Sequence, residues 1–387
     1  LFVIVQLSPD QRAAWSRFKA LAEKEILPHA AAFDAEQAIS TDVVRALADA
    51  GCLAAPVRAD SGGGGMDWVT YGLLSEELGR ACQNIRNFVA VEDMVAQALD
   101  RWGTAEQRDR WIGPIRRGET LAAFALTEPG IGSDAASIEM DAEPVASPDG
   151  EDGFVLRGSK KWISFGQIAD LFLVFAKLDG KHTAFLVERD TPGLTVNPLN
   201  GLLGLRGSML GELVFDDCRI PAGALVGRPG MGLTFIASSS LDLGRYSTAW
   251  GSVGLAQACM EASVRHADAR HQYGGPISDH QLVRRMLADM VTDITATRAL
   301  CHQAGLSKDQ GEADAVNLTL MAKYRASLLA NKAAADAVQI QGAQGIGTPG
   351  QVERHFRDAK VMEIIEGTTQ IQQSMLGQYA RQVVGRG

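Results

Sequence analysis

At 387 residues the chain exceeds a usual single-core domain, so two or three domains are expected. Apolar residues make up 46% and charged residues 21%, the balance of a globular protein and not of a disordered one. A net charge of −9, from 37 Lys and Arg against 46 Asp and Glu, argues against general affinity for nucleic acid or anionic membranes. Any anionic ligand must then be met by local arginines. Cys52, Cys82, Cys218, Cys259 and Cys301 are scattered without a CxxC pair, which indicates neither a disulfide framework nor a metal site and fits a reducing cytoplasm. The opening Leu1-Phe2-Val3-Ile4-Val5 is apolar but too short to span a bilayer, and it reads as a processed or non-native end.

Residues 1–120 read as a helical domain. Ser8-Pro9-Asp10-Gln11 is a capping-box start with proline at the first helical position, and apolar residues then recur at helical spacing through Trp15, Phe18, Leu21 and Ile26. Pro28, the run Ser61-Gly62-Gly63-Gly64-Gly65 and Gly103 punctuate further helices. No Gly-Lys-Ser/Thr follows the glycine run, so it reads as a surface turn and not a phosphate loop.

From 121 to 230 the period shifts toward two, in runs such as Phe154-Val155-Leu156, Leu171-Phe172-Leu173-Val174-Phe175 and Leu213-Val214-Phe215. Turn residues separate them at Pro148-Asp149-Gly150, Asp179-Gly180, Pro192-Gly193 and Pro221-Ala222-Gly223. No helix of crossover length lies between them, which predicts an antiparallel sheet or small barrel. From 231 to 387 the pattern is helical again. Val283, Met286, Leu287, Met290, Ile294 and Cys301 form one apolar stripe, Ala322 to Ile340 is alanine-rich, and helices ending at Gly274-Gly275, Gly305 and Gly342 predict a C-terminal four-helix bundle. The fold class is α+β in three domains.

Gly130-Ile131-Gly132-Ser133-Asp134-Ala135 matches the GxGxxA fingerprint of dinucleotide folds. Pro129 before the first glycine, the charge of Asp134, and Pro144 and Pro148 soon after deny it the strand–turn–helix context it requires.

The most chemical string lies near the C-terminus: Ile365-Glu366-Gly367-Thr368-Thr369-Gln370. A glutamate between apolar residues and a glycine is poorly solvated, so its pKa rises and it becomes a better proton acceptor, while the glycine admits close approach to the backbone. Taken alone, the string equally describes a helix-to-loop junction. Together with Leu126-Thr127-Glu128-Pro129-Gly130-Ile131-Gly132-Ser133-Asp134 and Lys161-Trp162-Ile163-Ser164, it resembles the signatures of the acyl-CoA dehydrogenase flavoproteins.

That resemblance covers nearly the whole chain and implies FAD held between the middle and C-terminal domains, completed by a neighbouring subunit of a homodimer or homotetramer. It matches Phe124, Leu126, Thr127 and Ser133 to the flavin-contacting strand and loop, and Trp162 and Ser164 to positions beside the isoalloxazine ring. Arg270 matches the arginine that reaches the pyrophosphate of the partner's FAD, with Gln272, Tyr273, His280 and Gln281 alongside. Gln339 and Ala343 match an adenosine-side loop that usually has two adjacent glycines, so Ala343 is a departure; Thr368 and Gln370 match the last cofactor contacts. Ser133, Asp242, Arg245 and Gly367 are the implied substrate-side residues. One branch of the family carries its base immediately before the arginine of Leu241-Asp242-Leu243-Gly244-Arg245, and Gly244 cannot serve, which leaves Glu366. The implied reaction is removal of the α proton of an acyl thioester by Glu366, with hydride passing from the β carbon to flavin N5. The thioester carbonyl is met by the Glu366 N–H and a ribityl hydroxyl, and an electron-transfer flavoprotein or other acceptor takes the electrons.

Phe165, Gln373 and the pair Glu92-Asp93 depart from the family's usual residues. With Trp162 to Gln167, they resemble the dehydrogenase-like enzymes that make hydroxymalonyl or methoxymalonyl extender units on acyl carrier protein for polyketides. The alternatives are an ordinary fatty or branched-chain acyl-CoA dehydrogenase and, from other classes, a flavin-dependent monooxygenase or a non-catalytic binding protein on the same fold.

Overall fold

The structure, a computed structural model, describes residues 6–146, 152–348 and 350–385; the apolar opening and the turn predicted at Pro148-Asp149-Gly150 lie outside them. Helix α1 (Pro9–Leu21) starts at the predicted cap. Ser8 Oγ accepts from the Gln11 N–H at 3.1 Å and Gln11 Oε1 accepts from the Ser8 N–H at 3.0 Å, so both halves of the capping box form. The short helices α2 (Ala30–Glu36) and α3 (Thr41–Asp49) follow. The glycine run then forms a turn that folds back on residues 54–58, with Gly63, Gly64 and Gly65 donating to the carbonyls of Arg58, Ala54 and Val57. Helices α4 (Trp68–Ala81) and α5 (Gln83–Trp102) are buried along nearly their whole length, and α6 (Ala105–Arg116) closes the helical region.

The middle sheet comprises β1 (Ala122–Ala125), β2 (Asp141–Val145), β3 (Gly153–Ile163), β4 (Leu171–Leu178), β5 (Lys181–Glu188), β6 (Leu194–Pro198), β7 (Gly211–Pro221) and β8 (Leu225–Val226), in the order β6-β7-β3-β2-β4-β5-β8. Most pairings are antiparallel, as the short turns predict. Two are parallel: β1 lies beside β4, Ala122 opposite Leu171 through Ala125 opposite Val174, and β2 touches the far end of β4. β2 and β3 are inserted between β1 and β4, and that long connection permits parallel pairing without a crossover helix. The unbroken apolar run of β4 serves two cores. Leu171, Leu173 and Phe175 face Val95, Leu99 and Ile112 of α5 and α6, while Phe172, Val174 and Ala176 face Phe185, Leu213 and Phe215 across the sheet.

A wide helical turn at Gly232–Ala237 leads into α7 (Ser238–Ala269), the central helix, whose Leu243, Tyr246, Trp250 and Val253 join the main core with residues of α4 and α5. A hairpin of β9 (His271–Gln272) and β10 (Gly275–Pro276) connects it to α8 (Gln281–Asp309); α9 (Ala315–Gln341), α10 (Gln351–Met362) and α11 (Thr369–Gly385) complete the bundle. Gly305 does not end α8 as its residue type suggested. It lies inside the helix, where an added Cβ would stand 2.4 Å from the Tyr246 hydroxyl, so its role is space and not termination. Among the described residues no helix is long and apolar enough to cross a membrane.

Candidate functional site

A cleft of about 530 Å³ opens where the end of β1, the loop after it, the end of β3, the middle of α5 and the α10–α11 connection converge over α7. Phe124, Leu126, Thr127, Ser133, Trp162, Ser164, Arg245, Glu366, Gly367 and Thr368 all line it, so ten of the sequence-predicted residues meet here.

Glu366 sits on a tight turn with φ 56°, followed by Gly367 at φ 87°. Left-handed backbone at a glutamate is disfavoured, and three side chains hold it. Arg245 Nε donates to the Glu366 carbonyl at 3.0 Å, Gln372 Nε2 donates to the same oxygen at 3.1 Å, and Lys323 Nζ donates to the Gly367 carbonyl at 2.7 Å. The carboxylate is thereby pressed against α7 at Gly244. A Cβ there would lie 2.4 Å from Glu366 Oε2, so Gly244 makes room for the Glu366 side chain. Oε2 is buried with no hydrogen-bond partner among the described residues. Burial pushes the Glu366 pKa up, while Arg245, Arg86 and Lys323 pull it back. The backbone N–H groups of Glu366, Gly367 and Thr368 donate to no protein acceptor among the described residues.

Arg86 and Lys323 were not singled out from the sequence. Both are fully buried, Arg86 on α5 and Lys323 on α9; burial lowers the pKa of Lys323 to about 8 and that of Arg86 to about 10. For Lys323 the available signal was a cation with Leu320 and Ala326 at helical spacing, since such a charge seldom stays buried without a task; Arg86, among the polar Gln83, Asn84 and Asn87, carried no such signal. Asp242 is not in the cleft. It pairs with the buried Lys308, whose ammonium also lies 4.8 Å from the centre of the Trp68 ring.

The opposite wall is flat and mixed in character. Trp162, at φ 63°, is 51% exposed at the rim, and Ser164 lies two residues on. Behind them Glu128 is buried, accepting from Lys160 Nζ at 2.7 Å and from the N–H groups of Glu139 and Met140 at 2.6 and 3.0 Å. Lys160 also donates to the Leu126 carbonyl at 3.0 Å, so this ion pair staples β3 to the loop carrying Thr127 and Ser133. That loop is a tight turn closed between Glu128 and Ile131 and leads into no long helix, which bears out the rejection of the glycine fingerprint. An uncovered tryptophan beside a hydroxyl suits an aromatic ring system with polar edges, so the donor set here fits a flavin.

The remaining residues lie elsewhere. Arg270, Gln272 and Ala343 share a second cleft of about 330 Å³ with His266 and Ile277. Tyr273 is 98% exposed and stacks edge-on with His280, which faces the Gln272 carbonyl at 3.3 Å. Gln281, Gln339 and Gln370 are exposed and line neither cleft. Among the described residues no group of three or more His, Cys, Asp or Glu could hold a metal.

The three departures noted in the sequence stay out of the main cleft. Phe165 is fully buried, edge-on to Phe88 at 5.1 Å. Gln373 reaches the Tyr324 hydroxyl on the surface. Glu92 accepts from the Ala122 N–H at 3.0 Å and Asp93 from the Ala55 N–H at 3.3 Å, so this acidic pair ties α5 to β1 and to the preceding loop and does not line an acyl pocket.

The N-terminal, middle and C-terminal domain profiles of acyl-CoA dehydrogenase match residues 8–119, 123–218 and 230–380. The chain is 37% identical over 361 residues to the mitochondrial short-chain specific acyl-CoA dehydrogenase of Rattus norvegicus, covering 92% of this chain and 86% of that one. Among solved structures, butyryl-CoA dehydrogenase from Megasphaera elsdenii superposes with a TM-score of 0.91 at 31% identity, over 97% of this chain and 99% of that one. FkbI, for biosynthesis of the methoxymalonyl extender unit of the FK520 polyketide, superposes with a TM-score of 0.85 at 33% identity, over 95% and 99%.

Proposed function

Because the chain belongs to the acyl-CoA dehydrogenase family of FAD-dependent oxidoreductases, we propose that it oxidises a short acyl thioester with Glu366 as the base. The observation that supports this most is the buried, unpartnered Oε2 of Glu366 beside the N–H groups of its own turn, which have no acceptor among the described residues. A carboxylate without a hydrogen-bond partner is costly unless something arrives to use it. Bound FAD supplies the acceptor that takes the β hydrogen with its electron pair. The protein's part is to place the thioester carbonyl on the Glu366 N–H, where negative charge develops as the α proton leaves. Burial makes the carboxylate more basic and so better able to take that proton, while Arg245, Arg86 and Lys323 favour its charged form. Thr127, Ser133, Trp162 and Ser164 hold the ring system, Phe124 and Leu126 back it, and Thr368 closes the turn.

Arg270, Gln272 and Ala343 serve the FAD of a second subunit, with Tyr273, His280, Gln281 and Gln339 facing it, so the working enzyme is a homo-oligomer; Thr368 and Gln370 make the last cofactor contacts. An electron-transfer flavoprotein or similar carrier reoxidises it. Retention of the base disfavours the monooxygenase reading.

The substrate is a short acyl-CoA, in keeping with the short-chain and butyryl relatives. The runner-up is oxidation of an oxygenated acyl group on acyl carrier protein, where Glu366 would take a proton from a hydrated aldehyde. Phe165, Gln373 and Glu92-Asp93 no longer support it, since they lie outside the cleft. Its support is the likeness to FkbI and one polar side chain, Asn87, in the cleft wall. Anaerobic mixing with butyryl-CoA should bleach the flavin and give a product lighter by two hydrogens. Bleaching only by an oxygenated carrier-bound thioester, with gain of an oxygen relative to the aldehyde, would establish the runner-up; bleaching by neither would reject both.

A further inference from the structure

Asn87 lies on α5 and is 5% exposed, yet it reaches the cleft. Its Nδ2 donates to Ser164 Oγ at 3.2 Å and to Ser208 Oγ at 3.3 Å. Ser208 is fully buried, and its hydroxyl donates in turn to Asn84 Oδ1 at 3.2 Å. Asn84, also fully buried, directs its Nδ2 at Cys82 Sγ at 3.7 Å. These four contacts fix one another's polarity. With the Asn84 nitrogen on the sulfur, its oxygen faces Ser208. The single proton of Ser208 is used on that oxygen, so Ser208 can only accept from Asn87, which must present its nitrogen. Both Nδ2 protons of Asn87 are then committed, one to each serine.

The consequence falls on Ser164. Its oxygen accepts from Asn87, and no acceptor among the described residues takes its proton. We infer that the chain Cys82–Asn84–Ser208–Asn87 is a polarity-setting relay that keeps Ser164 a hydrogen-bond donor into the cleft, with Asn87 as the positioning residue. The inference rests on the reading of Ser164 as a neighbour of the bound ring system. A serine free to rotate could turn its proton toward Asn87 and offer a lone pair instead, which would repel the electron-rich reduced flavin. With its proton held outward, Ser164 meets growing negative charge with a donor already in place and needs no reorganisation.

The test uses the flavin's midpoint potential in the purified holoprotein, measured without substrate, so that no step of turnover enters. Ser164→Ala, Asn87→Leu and the double variant form a cycle. Asn87→Leu removes the donor without adding a charge. Both single variants are expected to lower the potential, the leucine variant by at least half the shift of Ser164→Ala, and the double variant to fall no further than Ser164→Ala alone. A shift with Ser164→Ala but none with Asn87→Leu overturns the relay and leaves the placement of Ser164 intact. Additive shifts also overturn it, since Asn87 would then act independently of the serine. No shift with Ser164→Ala overturns both the placement and the relay. If Asn87→Leu fails to retain FAD, Ser208→Ala replaces it in the same cycle. That variant removes the one constraint on which way the Asn87 amide faces, so the relay requires a smaller shift in the same direction, lost in the Ser164→Ala background, and an unchanged potential overturns it.

Discussion

Replacing Gly244 with alanine should separate stability from activity. The new Cβ would stand 2.4 Å from Glu366 Oε2, 2.5 Å from its Cδ and 2.9 Å from Oε1, where ordinary contact begins near 3.4 Å. The atoms that must yield belong to the free end of a side chain, whereas the Glu366 backbone is tied by Arg245 and Gln372. The carboxylate therefore moves by about 1 Å while its turn stays in place, and a misplacement of about 1 Å at a reacting group costs on the order of a hundredfold in rate. Gly244 lies inside α7, where alanine is favoured over glycine by up to about 1 kcal/mol, so the fold should hold or tighten. The assay is stopped-flow bleaching of the flavin by butyryl-CoA, alongside flavin content and a thermal melt. Near-normal bleaching would refute the close fit of Glu366 against α7. Loss of flavin in step with activity would show that the effect is not one of placement.

Lys323→Met removes both the donor to the Gly367 carbonyl and one of the cations that hold the Glu366 pKa down. The base works only when ionised, so bleaching slows as pH falls through its raised pKa, and in the variant that acid limb should move to higher pH. Lys323 itself loses its proton near pH 8, so the difference from the parent should narrow above about that value; an unmoved limb would reject its influence on the base. Glu128→Ala leaves the Lys160 ammonium and two backbone N–H groups buried without their acceptor, and breaking such a pair costs about 3–5 kcal/mol. A urea midpoint within error of the parent would contradict that. Arg270→Ala should weaken FAD retention by removing a charge-assisted contact to the pyrophosphate. Full flavin occupancy in a monomer would show that the cross-subunit assignment is wrong.

Local chemistry was legible in the sequence wherever it repeats at short range. The capping box at Ser8 and Gln11, the runs that became β3, β4 and β7, and the string around Glu366 each depend on neighbours within a few residues. What was not legible depends on distant convergence. Arg86 and Lys323 approach Glu366 from α5 and α9, and no spacing rule links them. Gly305 carries the usual mark of a helix end, yet the need for space beside Tyr246, some sixty residues earlier, decides its place. Phe165 suggested an altered substrate because it follows Trp162-Ile163-Ser164, and Glu92-Asp93 because they occupy a stretch that in the family often lines the acyl pocket. The turn after β3 aims Phe165 at Phe88 while its neighbour Ser164 lines the cleft, and on α5 Glu92 and Asp93 bond to Ala122 and Ala55, so chain proximity to a site motif does not put a residue in the cleft. Asn87, which does reach it, carried no motif at all.

The most direct test of the central claim is Glu366→Gln, which keeps the shape of the side chain and removes its capacity to take a proton. Flavin content and the visible spectrum should match the parent, while the anaerobic rate of flavin bleaching by the best substrate found should fall by at least about a hundredfold, the usual worth of a general base. Bleaching at a rate close to the parent's would contradict the assignment of Glu366 as the base.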